Sequence, residues 1–85
     1  MGVIIKDIKK NNNEIIRVEI SEYQGKELIN LRIWYQAIDN GEVVYKPTQK
    51  GVALSVDKFS ELQEAITKIA EYLHDKKHGT TPHNV

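Results

Sequence analysis

The chain of 85 residues contains no cysteine, which excludes disulfide bonds and thiolate metal sites. It also lacks an apolar run near the roughly 20 residues that a membrane-spanning helix needs, and a charge at Lys6 interrupts its short apolar start too early for a secretory signal. Neither charge is in excess, with 12 Lys and Arg against 12 Asp and Glu, and this weighs against a nucleic-acid binder that acts through bulk positive potential. These absences predict one small soluble globular domain whose function depends on the arrangement of its residues.

Much of the chain after residue 14 has the two-residue alternation that is typical of half-buried β-strands. Apolar and polar residues alternate from Ile15 to Ser21, and the next segment is rich in β-branched and aromatic residues. Gln24-Gly25 and Asn40-Gly41 are turn signals. Proline cannot donate to a sheet, so Pro47 is expected to end a strand. We therefore predict four strands, over residues 15–21, 26–38, 42–46 and 51–54.

An amphipathic helix is predicted to follow the strands. Ser55 is the expected N-cap, and Asp57 lies in the first turn, where a negative charge suits the helix dipole. A helix of roughly 30 Å is long for one small sheet to cover, so helix-on-helix packing is a second expectation. The apolar stripe that would pack recurs at spacings of three and four, at Phe59, Leu62, Ile66, Ile69 and Leu73.

The domain limits follow from these elements. We expect residues 14–78 to form the domain and residues 79–85 to be a disordered tail. Residues 1–13 end in three consecutive asparagines, which favour turns. They are interpreted as an appendage that is either a short strand or a loosely held arm.

Counting outward from the two turns gives the strand register. If Gln24-Gly25 is a two-residue turn, aliphatic residues of one strand face aliphatic residues of the next, and a slip of one residue would destroy the match. The same count at Asn40-Gly41 extends the register to the next strand. The predicted pairs are Ile16 with Ile33, Val18 with Leu31, Ile20 with Ile29, Ile38 with Val43 and Gln36 with Tyr45.

This register predicts a sheet with two different faces. One face is aliphatic, and we expect it to receive the helix stripe. The other carries Arg17, Arg32, Trp34 and Tyr45. Unpaired bases stack on aromatic rings, with about 1–3 kcal/mol for each base, while Arg and Lys follow the phosphates, so this face suggests single-stranded nucleic acid. The alternatives are a cross-strand aromatic cluster or a surface that a second subunit covers.

The segment from Tyr45 to Ser55 is the most specific motif, with the pattern Lys-Pro-x-x-Lys-Gly-Val-x-Leu-Ser. Together with the preceding strands and the helix, over about residues 15–73, it resembles the positive cofactor 4 (p15) family of transcriptional coactivators. The resemblance implies an α+β fold, in which a curved four-stranded antiparallel sheet is followed by one C-terminal helix. It also implies a homodimer with paired helices, whose sheets bind single-stranded DNA or melted duplex with little sequence preference.

The resemblance also implies which residues bind nucleic acid. The family's aromatic before the first turn is matched by Tyr23, and its aromatic pair falls on Trp34 and Tyr35. The register places Trp34 on the open face and Tyr35 on the core side, and a bulge in the long hairpin could change that. Gln24 and Gln49 stand where basic residues are common, which implies weaker binding. With the residues taken from the register, the full predicted set is Arg17, Tyr23, Lys26, Arg32, Trp34, Tyr35, Tyr45, Lys46, Lys50 and Gly51.

Other functions find little support in the residues. The sequence has no arrangement typical of nucleophilic or acid-base catalysis, so we expect no enzyme activity and no cofactor. His74 and His78 stand four apart but have no third ligand nearby, so no metal site is expected. A dimeric protein-interaction module without nucleic-acid binding is the alternative function.

The expected partners are single-stranded DNA, melted duplex or RNA, a second copy of the chain and the transcription machinery, and no membrane. The Ser- and Lys-rich regulatory tail of eukaryotic family members is missing, which fits a bacterial or phage type. The expected location is therefore the cytoplasm, in association with the nucleoid, or the nucleus if the source is eukaryotic.

Overall fold

The structure is a computed structural model that describes residues 2–77. Its four strands form one antiparallel sheet in the order β1-β2-β3-β4, and a single 3-10 turn, Val56–Lys58, leads into the helix α1. The predicted end of the domain at residue 78 and the predicted tail over 79–85 lie outside the described residues. The elements are β1 (Val3–Lys9), β2 (Glu14–Tyr23), β3 (Lys26–Asp39), β4 (Glu42–Ser55) and α1 (Phe59–Lys77).

Both predicted hairpin registers are confirmed. Gln24 and Gly25 have φ angles of 51° and 80°, and Asn40 and Gly41 have 51° and 79°. Two successive positive φ angles are those of a type I′ turn, whose twist matches that of the flanking strands. The cross-strand partners are Ile16 with Ile33, Val18 with Leu31 and Ile20 with Ile29 in β2 and β3, and Ile38 with Val43 and Gln36 with Tyr45 in β3 and β4.

The N-terminal segment forms a strand of the sheet, which decides between the two interpretations of residues 1–13. β1 pairs antiparallel with β2, so that Asp7 lies opposite Arg17, and it has a bulge between Ile4 and Lys6. The side-chain oxygen of Asn11 closes the turn that follows, because it accepts hydrogen bonds from the backbone N–H groups of residues 13 (2.9 Å) and 14 (2.8 Å).

The third and fourth predicted strands are one continuous strand, β4, so the prediction that Pro47 ends a strand is wrong. Arg32 lies opposite Gly51 and Trp34 lies opposite Pro47, so a step of two residues on β3 matches a step of four on β4. This bulge has two extra residues. β4 is also an edge strand, and proline is tolerated at edges and bulges because no partner needs its missing N–H.

The prediction that the helix stripe packs on the aliphatic face of its own sheet is wrong for the single chain. Among the described elements, α1 lies closest to the 3-10 turn that precedes it. Only three residues separate β4 from α1, which leaves little chain to turn the helix back across the sheet. Leu62 is half-buried, but the other four stripe residues are 51–57% exposed: Phe59, Ile66, Ile69 and Leu73.

The described part of the chain therefore has a thin core. Ile29 is buried on the aliphatic face and Ile15 on the opposite face, while the other aliphatic residues at the centre of the sheet are half-buried. A chain of this length buries only about 60% of its unfolded surface on its own. No helix among residues 2–77 is long and apolar enough to cross a bilayer.

Candidate nucleic-acid interface

Most of the predicted binding residues share one face of the sheet. Side chains alternate between the two faces along a strand, and cross-strand partners lie on the same face. The observed register therefore groups residues of β2, β3 and β4 on the side opposite Ile16, Val18 and Leu31. We call this the cationic-aromatic face; it contains Arg17, Tyr23, Lys26, Arg32, Trp34, Tyr45 and Gly51.

Exposed rings stand at both ends of the cationic-aromatic face. Tyr23 is 64% exposed and lies directly opposite Lys26, which is also exposed. Tyr45 is exposed near the other end, opposite Gln36. Both rings are accessible to solvent, and Lys26 places a cation on the strand opposite Tyr23.

Trp34, at the centre of this face, is half-buried beneath Arg17. The Arg17 guanidinium carbon lies 4.4 Å from the centroid of the Trp34 ring, a cation-π distance. Asp7 of β1 holds Arg17 there with two hydrogen bonds, from Nε to Oδ1 (2.9 Å) and from Nη2 to Oδ2 (3.0 Å). The Arg17 side chain is only 14% exposed, so part of its charge is already used within the protein.

The ion pair between Asp7 and Arg17 shifts both groups toward their charged forms. The hydrogen bond from Arg17 is the main reason that the pKa of Asp7 is lowered, and the same bond raises the pKa of Arg17. Sequence analysis did not identify Asp7. A register counted across the turn formed by Asn11, Asn12 and Asn13, which we call the asparagine turn, would have placed Asp7 opposite Arg17.

Arg32 helps to hold the bulge of β4. Its Nη1 donates to the carbonyl oxygen of Thr48 (3.1 Å), and the Thr48 hydroxyl donates to the carbonyl oxygen of Ile33 (2.7 Å). The backbone N–H of Lys50 in turn donates to the Thr48 hydroxyl (3.1 Å). Lys50 is exposed, so the bulge presents a lysine at the edge of the sheet.

Gly51 is required where β4 rejoins β3 after the bulge. A Cβ atom at this position would lie 2.5 Å from the carbonyl oxygen of Leu31 and 2.7 Å from the Cα of Arg32. Both are backbone atoms, so the strand would have to move to accept any side chain. The absence of a side chain at Gly51 therefore allows β4 to lie close to β3.

Tyr35 and Lys46 form a separate pair on the aliphatic face. They are cross-strand partners, and both are exposed at the end of the sheet. The bulge lies in β4 and leaves the alternation of β3 intact, so Trp34 and Tyr35 point to opposite faces, as the register predicts. The predicted binding residues are therefore divided between two faces.

The asparagine turn and the end of β3 enclose an open notch of about 590 Å³, which sequence analysis did not predict. Its lining residues are Asn11, Asn12, Asn13, Glu14, Tyr35 and Gln36. The pKa of Glu14 is lowered by hydrogen bonds from Asn11 (2.8 Å) and Lys10 (3.2 Å), so its carboxylate is ionised at neutral pH. We call this the amide notch.

No group of three or more potential metal ligands occurs within residues 2–77. His74 is one of the two histidines considered above. The other, His78, lies outside the described residues.

Comparison with known proteins gives one family and one fold. Residues 10–65 match the model of the family described as Transcriptional Coactivator p15 (PC4). No curated protein sequence matches the chain.

Solved structures with a similar fold include two crystal forms of BPSL1147, a PC4 homolog from Burkholderia pseudomallei. The orthorhombic form has a TM-score of 0.67 at 20% identity, and the match covers 81% of this chain and 89% of that one. The bacteriophage T5 homolog of the eukaryotic transcription coactivator PC4, implicated in recombination-dependent DNA replication, has a TM-score of 0.59 at 24% identity. That match covers 92% of this chain and 88% of the phage chain.

Proposed function

Since the chain belongs to the transcriptional coactivator p15 (PC4) family, we propose that it is a homodimeric, non-enzymatic protein that binds single-stranded DNA with little sequence preference. The protein would act in transcription regulation, replication or repair. It would be located in the cytoplasm, in association with the nucleoid. Melted duplex and RNA offer the same unpaired bases and are further candidate ligands.

The observation that supports this proposal best is the pairing of exposed tyrosines with exposed lysines. Tyr23 lies opposite Lys26 on the cationic-aromatic face, and Tyr35 lies opposite Lys46 on the aliphatic face. A ring that stacks a base beside a cation that meets its phosphate is the arrangement that sequence-tolerant single-strand binding needs. Duplex DNA has no free base faces to offer these rings.

The charges of the site indicate moderate affinity. Lys26, Lys46 and Lys50 are exposed, whereas Arg17 is paired with Asp7 and Arg32 is bonded to the bulge. Each phosphate contact releases condensed counterions, so a site with few free cations has a shallow dependence on salt. Stacking is therefore expected to supply a large share of the binding free energy.

The homodimer is proposed because, among residues 2–77, two apolar surfaces are exposed. Four of the five residues in the α1 stripe are exposed, and Val52 and Ile8 are exposed at the margins of the aliphatic face. Burial of apolar surface contributes about 25 cal/mol per Å², so pairing of two such chains would stabilise both. The proposed interface on the helix consists of Phe59, Leu62, Ile66, Ile69 and Leu73.

A titration of labelled oligonucleotides tests the function. We expect a thymidine oligonucleotide to bind more tightly than a duplex of equal length, with affinity that falls as salt rises from about 50 to 200 mM. Fluorescence anisotropy measures both. Lys26→Ala should weaken binding and reduce the salt dependence, whereas Lys68→Ala, which removes an exposed lysine from α1, should leave both unchanged.

Two results of this titration would contradict the proposal. Equal affinity for the single strand and the duplex would show that unpaired bases are not recognised. Absence of binding at low salt would favour the alternative, a dimeric protein-interaction module.

A further inference from the structure

Three charged residues form a row across the cationic-aromatic face. Asp7 of β1 lies opposite Arg17 of β2, and Arg17 lies opposite Arg32 of β3. Like charges directly opposite each other on neighbouring strands destabilise a sheet, so an anion beside the two arginines stabilises the row. The Asp7 carboxylate supplies this anion, and a phosphate group of a bound nucleic acid would have the same effect.

The Asp7 carboxylate binds Arg17 in the manner of a phosphate. The Nε and Nη2 atoms of Arg17 donate to the two carboxylate oxygens over 2.9 and 3.0 Å. Guanidinium groups form the same two parallel hydrogen bonds with carboxylates and with phosphates. This edge of Arg17 therefore cannot bind a phosphate while its ion pair with Asp7 is intact.

The negative side of the ion pair is the more accessible side. The Asp7 side chain is 36% exposed, whereas the Arg17 side chain is 14% exposed. Glu19, which lies on the same face of β2, adds a second negative charge close to Arg17. A phosphate that approaches the centre of the face is therefore repelled by carboxylates before it reaches the guanidinium.

The same ion pair covers the central ring of the face. The guanidinium carbon of Arg17 lies 4.4 Å from the centroid of Trp34. A base stacks by placing its plane against the plane of a ring, so it reaches this side of Trp34 only after Arg17 moves aside. One movement of Arg17 would thus release a cation for a phosphate and a ring for a base.

We propose that Asp7 is an autoinhibitory residue, which takes the place of a phosphate on Arg17 and holds the guanidinium over Trp34 until a single strand displaces it. The inference rests on the proposed single-strand binding and adds an opposing step at the centre of the site. Tyr23 and Lys26, which are exposed at the end of the sheet, bind without this step.

Asp7→Asn tests the proposal, because asparagine keeps the shape of the side chain and one acceptor oxygen but removes the charge. We expect D7N to bind a thymidine oligonucleotide about 5-fold more tightly at about 50 mM salt, since the released guanidinium gains a phosphate contact. The slope of log affinity against log salt concentration should become steeper by about 0.7, the value for one further contact with a single strand. Fluorescence anisotropy measures both.

Two further proteins separate the ion pair from net charge. Asp39→Asn removes the same charge from an exposed position at the end of β3, on the aliphatic face, and should change neither the affinity nor the salt dependence. In an Arg17→Gln background, D7N should bring no gain in affinity, because no guanidinium remains to be released.

A measurement on the unsubstituted protein needs no variant. We expect the NMR resonance of the Asp7 carboxyl carbon to shift when the oligonucleotide saturates the protein, because Arg17 leaves the carboxylate. A resonance that stays unchanged at saturation would show that the ion pair persists in the complex and would overturn the proposal.

Other results would also overturn the role of Asp7 and leave single-strand binding intact. These are equal affinity of D7N and the unsubstituted protein, weaker binding by a D7N protein that is folded by circular dichroism, or an equal gain in D39N. Weaker binding would mean that Asp7 positions Arg17 for the ligand. If the unsubstituted protein and D7N both fail to bind the oligonucleotide, the proposed function fails, and the role of Asp7 fails with it.

Discussion

Ile69→Lys is expected to convert a dimer into a monomer or to leave the chain unfolded. Ile69 lies in the apolar stripe of α1 and is 56% exposed in the single chain, so its burial depends on a partner. In a symmetric dimer the substitution removes two buried isoleucines, each of which contributes about 1.5–3 kcal/mol, and it adds two charges to an apolar interface. The dimer dissociation constant should rise by about 100-fold or more.

Sedimentation velocity combined with circular dichroism measures this effect. Thr67→Lys is the matched control, because it adds the same charge to an exposed position of α1 outside the stripe and should remain dimeric. An intact Ile69→Lys dimer would show that the helices do not pair through this stripe.

Tyr23→Ala is expected to weaken single-strand binding by about 10-fold, which is within the range measured for the loss of one stacked base. Because Tyr23 is 64% exposed, its removal should change the free energy of unfolding little. Tyr23→Phe keeps the ring and should retain nearly all the affinity.

Anisotropy titration and thermal unfolding of the three proteins separate stacking from stability. A Tyr23→Ala protein that binds like the unsubstituted chain would remove Tyr23 from the interface. A Tyr23→Phe protein as weak as Tyr23→Ala would assign the effect to the hydroxyl group instead of the ring.

The central hairpins could be predicted because two independent signals agree. The turn dipeptides Gln24-Gly25 and Asn40-Gly41 fix which residues of neighbouring strands pair. The aliphatic alternation allows only one register, since a slip of one residue would move every apolar side chain to the other face. Both registers are present in the structure.

The bulge in β4 and the place of α1 could not be predicted in the same way. Pro47 is compatible both with the end of a strand and with a bulge in an edge strand. The bulge that forms here is held by hydrogen bonds from Arg32 and Thr48 that join β3 and β4. The apolar stripe of α1 fits a sheet or a second helix equally well. Its exposure follows from the short connection after β4.

The candidate site was predicted only in part for a related reason. Alternation places Arg17 and Trp34 on one face, but the contact that covers Trp34 depends on Asp7 of β1, whose pairing the sequence left open. The amide notch likewise forms where the asparagine turn reaches the end of β3. Such sites arise from the tertiary structure and have no local pattern.

The fluorescence of Trp34 reports whether unpaired bases occupy the cationic-aromatic face, because it is the sole tryptophan of the chain. It lies beneath Arg17 at the centre of that face. In a titration with a thymidine oligonucleotide, we expect its emission to change and to saturate at the same stoichiometry as the anisotropy. A rise in anisotropy without a change in Trp34 emission would place the nucleic acid elsewhere and contradict the proposed interface.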